Sequence, residues 1–144
     1  MITRESFYEN REELQPIISN HWKEVSNPQV PLDINWGAYK ALEDAGLSFS
    51  YIARDNGIAG YVSCFLMPHH HHQTVSWCSV DMIYVAPSHR GRWLGVKLLK
   101  QAEQHARSLC DKSVMNVSGQ RVDISPLAKR LGYHLEESIY RKVL

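Results

Sequence analysis

The stretch that most restricts what this chain can fold into runs from Thr74 to Leu109. An apolar segment, Thr74 to Ala86, is stopped by Pro87 and passes through the basic turn Ser88-His89-Arg90-Gly91. It then opens an amphipathic segment from Arg92 to Leu109, in which Leu94, Leu98, Ala102 and Leu109 form an apolar stripe. A buried strand feeding straight into a helix needs a sheet to sit in and a face for the helix to cover, which points to a layered α/β or α+β architecture. The turn also has a chemical consequence. The first backbone N–H groups of a helix lack intrahelical acceptors, and the helix dipole adds partial positive charge there. With Arg90, Arg92 and Lys97 close by and glycine permitting close backbone approach, this helix start reads as a phosphate or pyrophosphate site. The Walker pattern and the dinucleotide Gly-x-Gly-x-x-Gly pattern are both absent.

The flanking sequence is consistent with such layers. Phe7, Leu14, Ile18, Trp22 and Val25 recur near a helical period, with a break or a new first turn expected at Pro16. Ser26-Asn27-Pro28 ends that segment, and Asp33 is the expected N-cap of a second helix closed by Gly46. Leu47 to Arg54 and Ile58 to Met67 read as strands around a hairpin turn at Asp55-Asn56-Gly57, because Asn-Gly tolerates the positive φ angles such turns need. Pro68 and His69-His70-His71-His72 make the next turn. If that turn centres near His71, Cys64 lies opposite Cys78 on the neighbouring strand. Ser113 to Val117 is a further strand, Pro126 to Leu131 a short helix closed by Gly132, and Tyr133 to Val143 a final strand or bent strand pair.

Length and composition exclude several classes. The 144 residues suit one domain spanning 1–144, and 44% apolar with 22% charged residues is globular. A net charge of +1 gives no strong nucleic-acid signal. No apolar run reaches membrane-spanning length, and the N-terminus lacks the apolar centre of a signal peptide, so a cytoplasmic location is expected. The three cysteines, Cys64, Cys78 and Cys110, fit no zinc spacing and are expected to be reduced thiols. Consecutive histidines in one turn point in different directions, so a solvated turn is expected there and no metal site.

On Val85-Ala86-Pro87 and Arg90-Gly91-Arg92-Trp93-Leu94-Gly95, the sequence resembles the GNAT superfamily of N-acetyltransferases, with their strand ending Val-x-Pro and their Arg/Gln-x-x-Gly-x-Gly/Ala loop. Leu127-Ala128-Lys129-Arg130-Leu131-Gly132-Tyr133 is similar to the family's late helix-to-strand element, and Tyr140-Arg141-Lys142-Val143-Leu144 to its last strand. The N-terminal style and the histidine turn resemble GNAT proteins of tailed bacteriophages, in which case the location would be the host cytoplasm. The resemblance implies a mixed, mostly antiparallel sheet of six to seven strands flanked by helices. It also implies acetyl-CoA as co-substrate, no metal, and acetyl transfer to a primary amine by direct attack. The acceptor would be a small molecule or a protein amine, and a homodimer is one of the assemblies left open. The chain departs from the family motif at Trp93, in place of the first motif glycine. It departs again at Ala128, where many members carry the tyrosine that protonates the leaving thiolate.

The resemblance assigns cofactor binding to Ile83, Tyr84 and Val85 on a strand splayed from Ser113–Val117, with a backbone N–H near Tyr84 or Val85 facing the thioester oxygen. It extends that assignment to Arg90, Gly91, Arg92, Trp93, Leu94, Gly95 and Val96. Asp81 is the one acid in its strand and, by two-residue alternation, shares a face with Ile83 and Val85. It would serve as base or amine-binding group, against the alternative of a salt bridge to a nearby arginine. Tyr140, ahead of Tyr133, is the candidate replacement acid. Trp22 and Trp36 read first as core and second as acceptor-groove walls. No serine or cysteine is expected in an activated pair. Two other readings stay open: a GNAT-shaped CoA-binding or protein-interaction module without efficient turnover, favoured by Trp93 and Ala128, and a nucleotide-phosphate binding module.

Overall fold

A computed structural model describes residues 1–25, 30–109, 113–116, 123–140 and 142–144. Its sheet holds five strands in sequence order: β1 (Ile2–Arg4), β2 (Ser48–Arg54), β3 (Ile58–Pro68), β4 (Ser76–Val85) and β5 (Ser113–Asn116). β1 to β4 pair antiparallel and β5 runs parallel to β4, the mixed and mostly antiparallel sheet expected. The helices are α1 (Arg11–Val25), α2 (Trp36–Asp44), α3 (Leu94–Leu109) and α4 (Ser125–Arg130). Among the described residues, no helix is long and apolar enough to cross a membrane.

Period-two alternation divides the core between the two faces of the sheet. Phe49, Tyr51, Val62, Cys64, Cys78 and Val80 face α3, which answers with Leu98, Leu99, Ala102 and Ala106. Ile52, Tyr61 and Tyr84 face the other way, against Phe7 and the α1 residues Leu14 and Ile18. Leu109, expected in the α3 stripe, is 48% exposed because it closes the helix beyond the last residue over the sheet. Gly60 lets β3, β4 and α3 meet closely. A Cβ there would lie 2.7 Å from the Tyr84 carbonyl oxygen and 3.3 Å from Leu98 Cδ1.

Several expectations are corrected. α1 runs unbroken through Pro16, which sits on the exposed face, so the Glu12 carbonyl deprived of its partner can turn to water. Phe7 enters the core from a turn ahead of α1. The N-cap of α2 is Asn35, whose Oδ1 accepts from the Ala38 N–H, and not Asp33. The three-residue strand β1 carries too short a pattern to be read from sequence. The segment from Tyr133 to Tyr140 forms no strand, so five strands replace the six to seven expected among the described residues. The expected positions Ser26-Asn27-Pro28, Cys110, Val117 and Arg141 lie outside the described residues.

The β3–β4 hairpin centres on His72 and not on His71, with Pro68 opposite Ser76. Cys64 therefore faces Val80, and Cys78 faces Leu66. The two thiols lie diagonally on the α3 face, both buried and both free. Farther along, the register steps from Cys64↔Val80 to Ser63↔Met82, which leaves Asp81 as the extra residue of a β-bulge.

Candidate active site

The bulge decides where Asp81 points. Val80 and Cys78 lie on the α3 face, whereas Met82, Tyr84 and Ala86 lie on the α1–α2 face. One inserted residue reverses the alternation, so Asp81 does not share the face of Ile83 and Val85 as simple counting implies. It meets α2 instead: Tyr39 Oη donates a 2.8 Å hydrogen bond to Asp81 Oδ2. Asp81 is exposed to water on one side, while the protein around it, Tyr39 included, partly desolvates its carboxylate. Partial desolvation raises its pKa above the ordinary carboxylate value, and the Tyr39 hydrogen bond offsets part of that rise. No cation pairs with it among the described residues, so the salt bridge weighed from the sequence is absent there. Burial and the neighbouring carboxylate push the Tyr39 hydroxyl well above its usual range, which keeps it a neutral donor.

Next to this acid, the edge of β4 loses its partner among the described residues. The described pairing with β5 runs from Ser76↔Ser113 to Ser79↔Asn116. Beyond it, Val80 and residues 82–85 pair with β3 on one side and with no described strand on the other. The Ala86 N–H bonds the Ala59 carbonyl, so alternation turns the main-chain groups of Tyr84 toward β3 and those of Ile83 and Val85 toward the open side. Tyr84, expected beside a cofactor, is thus spent: its backbone faces β3, and its 7% exposed ring packs under α1. The main chain of Ile83 and the Val85 N–H remain available as backbone partners, the Val85 carbonyl being taken by Arg90 Nε.

The loop after β4 takes a 3₁₀ turn at Pro87–His89, then places Gly91 at φ +78° and Trp93 at φ +63° before α3 begins. Among the described residues no acceptor engages the N–H of Gly91, Arg92, Trp93, Leu94, Gly95 or Val96; the series resumes with Lys97 N–H to the Trp93 carbonyl at 3.0 Å. A Cβ on Gly95 would meet only Val85 Cγ2 at 3.7 Å, so the helix start lies open. Consecutive free N–H groups at a helix start are the kind of donor array that takes a phosphate group. Trp93 holds the left-handed conformation that the family motif assigns to glycine. Its indole is 55% exposed and lies 4.6 Å from the Arg130 guanidinium of α4.

Arg90 has a different task from the one the sequence suggests. Its Nε donates to the Val85 carbonyl at 2.9 Å, and its Nη2 spans both carboxylate oxygens of Glu24 on α1 at 2.8 and 2.9 Å. The charge expected on a phosphate is already paired, and the side chain ties α1 to the loop. Ser88 and His89 form a chain of contacts with Asp55. Ser88 Oγ lies 2.9 Å from His89 Nδ1, and His89 Nε2 lies 3.2 Å from Asp55 Oδ2. The Asp55 side chain is 64% exposed, so the chain of contacts fastens the β2–β3 turn to the loop in water and lacks the dry setting that activates a nucleophile.

Tyr140 is not brought to Asp81: it is 95% exposed on the unpaired C-terminal segment. Tyr133 is held by Glu103, to which its hydroxyl donates at 2.8 Å. Sequence reading missed two residues on the α1–α2 side. Tyr39 is one, flagged only by its place one turn after Trp36. His21 is the other; it is 8% exposed, with Nδ1 2.8 Å from Tyr61 Oη and a pKa lowered chiefly by burial. Among the histidines of the β3–β4 turn, His69 packs edge-on against Trp77 at 4.5 Å and the others are exposed.

The sequence model of the acetyltransferase (GNAT) family matches residues 6–133. No curated protein sequence matches the chain significantly. Among solved structures, a ribosomal-protein-alanine N-acetyltransferase from Brucella melitensis biovar Abortus 2308 is 19% identical at TM-score 0.71, over 100% of this chain and 99% of the other. A predicted acetyltransferase from Clostridium acetobutylicum, solved with acetyl-CoA, is 13% identical at 0.72, over 99% and 96%. Glucosamine-6-phosphate N-acetyltransferase from Arabidopsis thaliana is 12% identical at 0.73, over 99% and 98%. These likenesses establish the fold. Together with the family match across the sheet, the open donor loop and the helix that it starts, they lead to one assignment: the chain belongs to the GNAT acetyltransferase family.

Proposed function

We propose that this protein transfers an acetyl group from acetyl-CoA to a primary amine by direct attack. The observation that carries the reading is the run of N–H groups from Gly91 to Val96 that no described acceptor engages, at the end of a β4 edge that has no described partner strand beyond Ser79. Acetyl-CoA supplies an activated thioester. The donor loop and Arg92 would bind its pyrophosphate, and the main chain of Ile83 and the Val85 N–H would pair with its pantetheine arm as an added strand. The Val85 N–H is the donor best suited to the thioester oxygen, since the main chain of Tyr84 is turned toward β3.

Asp81 binds the ammonium of the acceptor and takes one of its protons, because only the neutral amine has a lone pair to attack. A carboxylate whose pKa lies above the usual range is a better base than an ordinary aspartate. The new N–C bond forms as the C–S bond breaks, and CoA leaves as the thiolate. Amide formation releases a second proton, which goes to solvent or to the thiolate. Ala128 has no proton to give, and the exposure of Tyr140 argues against it as the acid, so no side chain is assigned that task.

Thermal shift with acetyl-CoA, CoA and ATP tests the loop. Stabilisation by the two CoA species but not by ATP is expected, and equal stabilisation by ATP would favour a nucleotide-phosphate module. Free-thiol release across an amine panel then tests turnover. CoA binding with no release from any amine would favour the binding-module reading.

A further inference from the structure

Asp81 is a carboxylate bonded to one member of an aromatic cluster. Tyr39, which donates to it, also packs against Trp36 at 5.7 Å and Phe65 at 6.1 Å between ring centroids. All three rings are half-buried and keep part of their surface open on the α1–α2 face. Several charged groups of α1 and α2 are engaged elsewhere. Lys40 pairs with Asp44, Glu43 accepts from Ser6 and the Phe7 N–H, and Glu24 holds Arg90. β3 carries no charged residue, and Asp81 is the one charged residue of β4.

Resting on the acetyl-transfer reading above, we propose that the acceptor is a small monoamine with a flat apolar body, its ammonium on Asp81 and its body along Trp36, Tyr39 and Phe65. A single carboxylate satisfies a single ammonium, and rings within about 6 Å of a cation attract it further. A polycation would leave its remaining ammonium groups facing rings with no described carboxylate among them. A phosphorylated or carboxylated acceptor would need a cation beside Asp81, and none is present among the described residues. A peptide would strand main-chain N–H and C=O groups against aromatic surface, which is costly.

The test is calorimetry on the full chain, with and without saturating CoA, using 2-phenylethylamine, n-butylamine, kanamycin, glucosamine 6-phosphate and a lysine-containing peptide. 2-Phenylethylamine is expected to bind roughly tenfold more tightly than n-butylamine, and the other three more weakly still. Asp81→Asn should remove amine binding, and Trp36→Leu should shrink the ratio of 2-phenylethylamine to n-butylamine affinity. Tighter binding of kanamycin, the phosphosugar or the peptide, or no gain from the ring in the unmodified protein, would overturn the proposal. The ligand series on the unmodified protein stands even if a variant fails to fold. Amine binding is read without turnover, so failure of the acetyl-CoA thermal shift would count against the acetyl-transfer reading and leave this result separate.

Discussion

The two halves of the candidate site lie on the same strand and its continuation, yet they are built from different parts of the chain. At the head of α3 the working groups are main-chain N–H groups, from Gly91 to Val96. Their direction follows from a proline stop, a positive-φ turn and a helix start, all contiguous in sequence. At Asp81 the working group is one side chain, aimed by a bulge against β3 and held by a tyrosine 42 residues away. The loop should therefore tolerate changes of side chain that do not block its N–H groups or add negative charge beside them. The acid should respond to small changes in either the carboxylate or its partner.

The sharpest way to break this comparison is Gly95→Asp. The substitution meets only ordinary contact with Val85, and an acid suits a helix N-terminus, so the melting temperature should hold or rise. Its charge would occupy the phosphate position, and CoA affinity should fall by about 100-fold or more, roughly 2.7 kcal/mol. Calorimetry showing intact CoA binding would remove the loop from the site.

Asp81→Asn should separate the halves in the other direction. The rate should drop about 10²- to 10⁴-fold while CoA affinity stays unchanged. In the parent, the rate should climb with pH through the raised pKa of Asp81, and that limb should vanish in the variant. The stability sign is opposite. A carboxyl whose folded pKa is raised contributes stability below its unfolded pKa and loses it as pH rises through the folded one. At neutral pH the asparagine variant should therefore melt higher than the parent, and a lower melting temperature would contradict the desolvated carboxylate.

Tyr39→Phe is a finer probe of the same side. Removing a hydrogen bond that favours the ionised form should move the acid limb to higher pH and lower the rate by roughly threefold to tenfold. An unmoved limb would mean that Asp81 does not depend on its partner.

Arg90→Ala compares structure with binding within the loop. Because Arg90 is paired with Glu24, the loss should appear as about 1 kcal/mol of stability, shared by Glu24→Gln. A large drop in CoA affinity in the arginine variant alone would show that Arg90 reaches the phosphates. Trp93→Gly should have the smallest effect. It relieves about 1–2 kcal/mol of left-handed strain. Against that stand the chain entropy of glycine and the loss of the Arg130 contact. Melting temperature and CoA affinity should both stay near those of the parent; a roughly tenfold gain in affinity would mean that the indole obstructs the site.

What the sequence determined by itself is what local order can encode. The strands β2 and β3, the Asn56-Gly57 turn, the amphipathic α3 and the basic turn that opens it are all legible, because each depends on residues a few positions apart. Even Trp93, foreign to the motif, takes the left-handed φ that the motif calls for, since the turn and the helix start on either side of it impose the path. Tertiary structure decided the rest. Whether Asp81 faces α3 or α2 depends on one residue of register between β3 and β4, and period-two alternation makes such a step reverse the face. Whether Arg90 serves a phosphate or a carboxylate depends on Glu24, 66 residues away. Whether Tyr140 reaches the site depends on a strand pairing that the described C-terminal segment does not make. A side chain's partner is fixed by how separate elements pack, and local sequence carries no record of that packing.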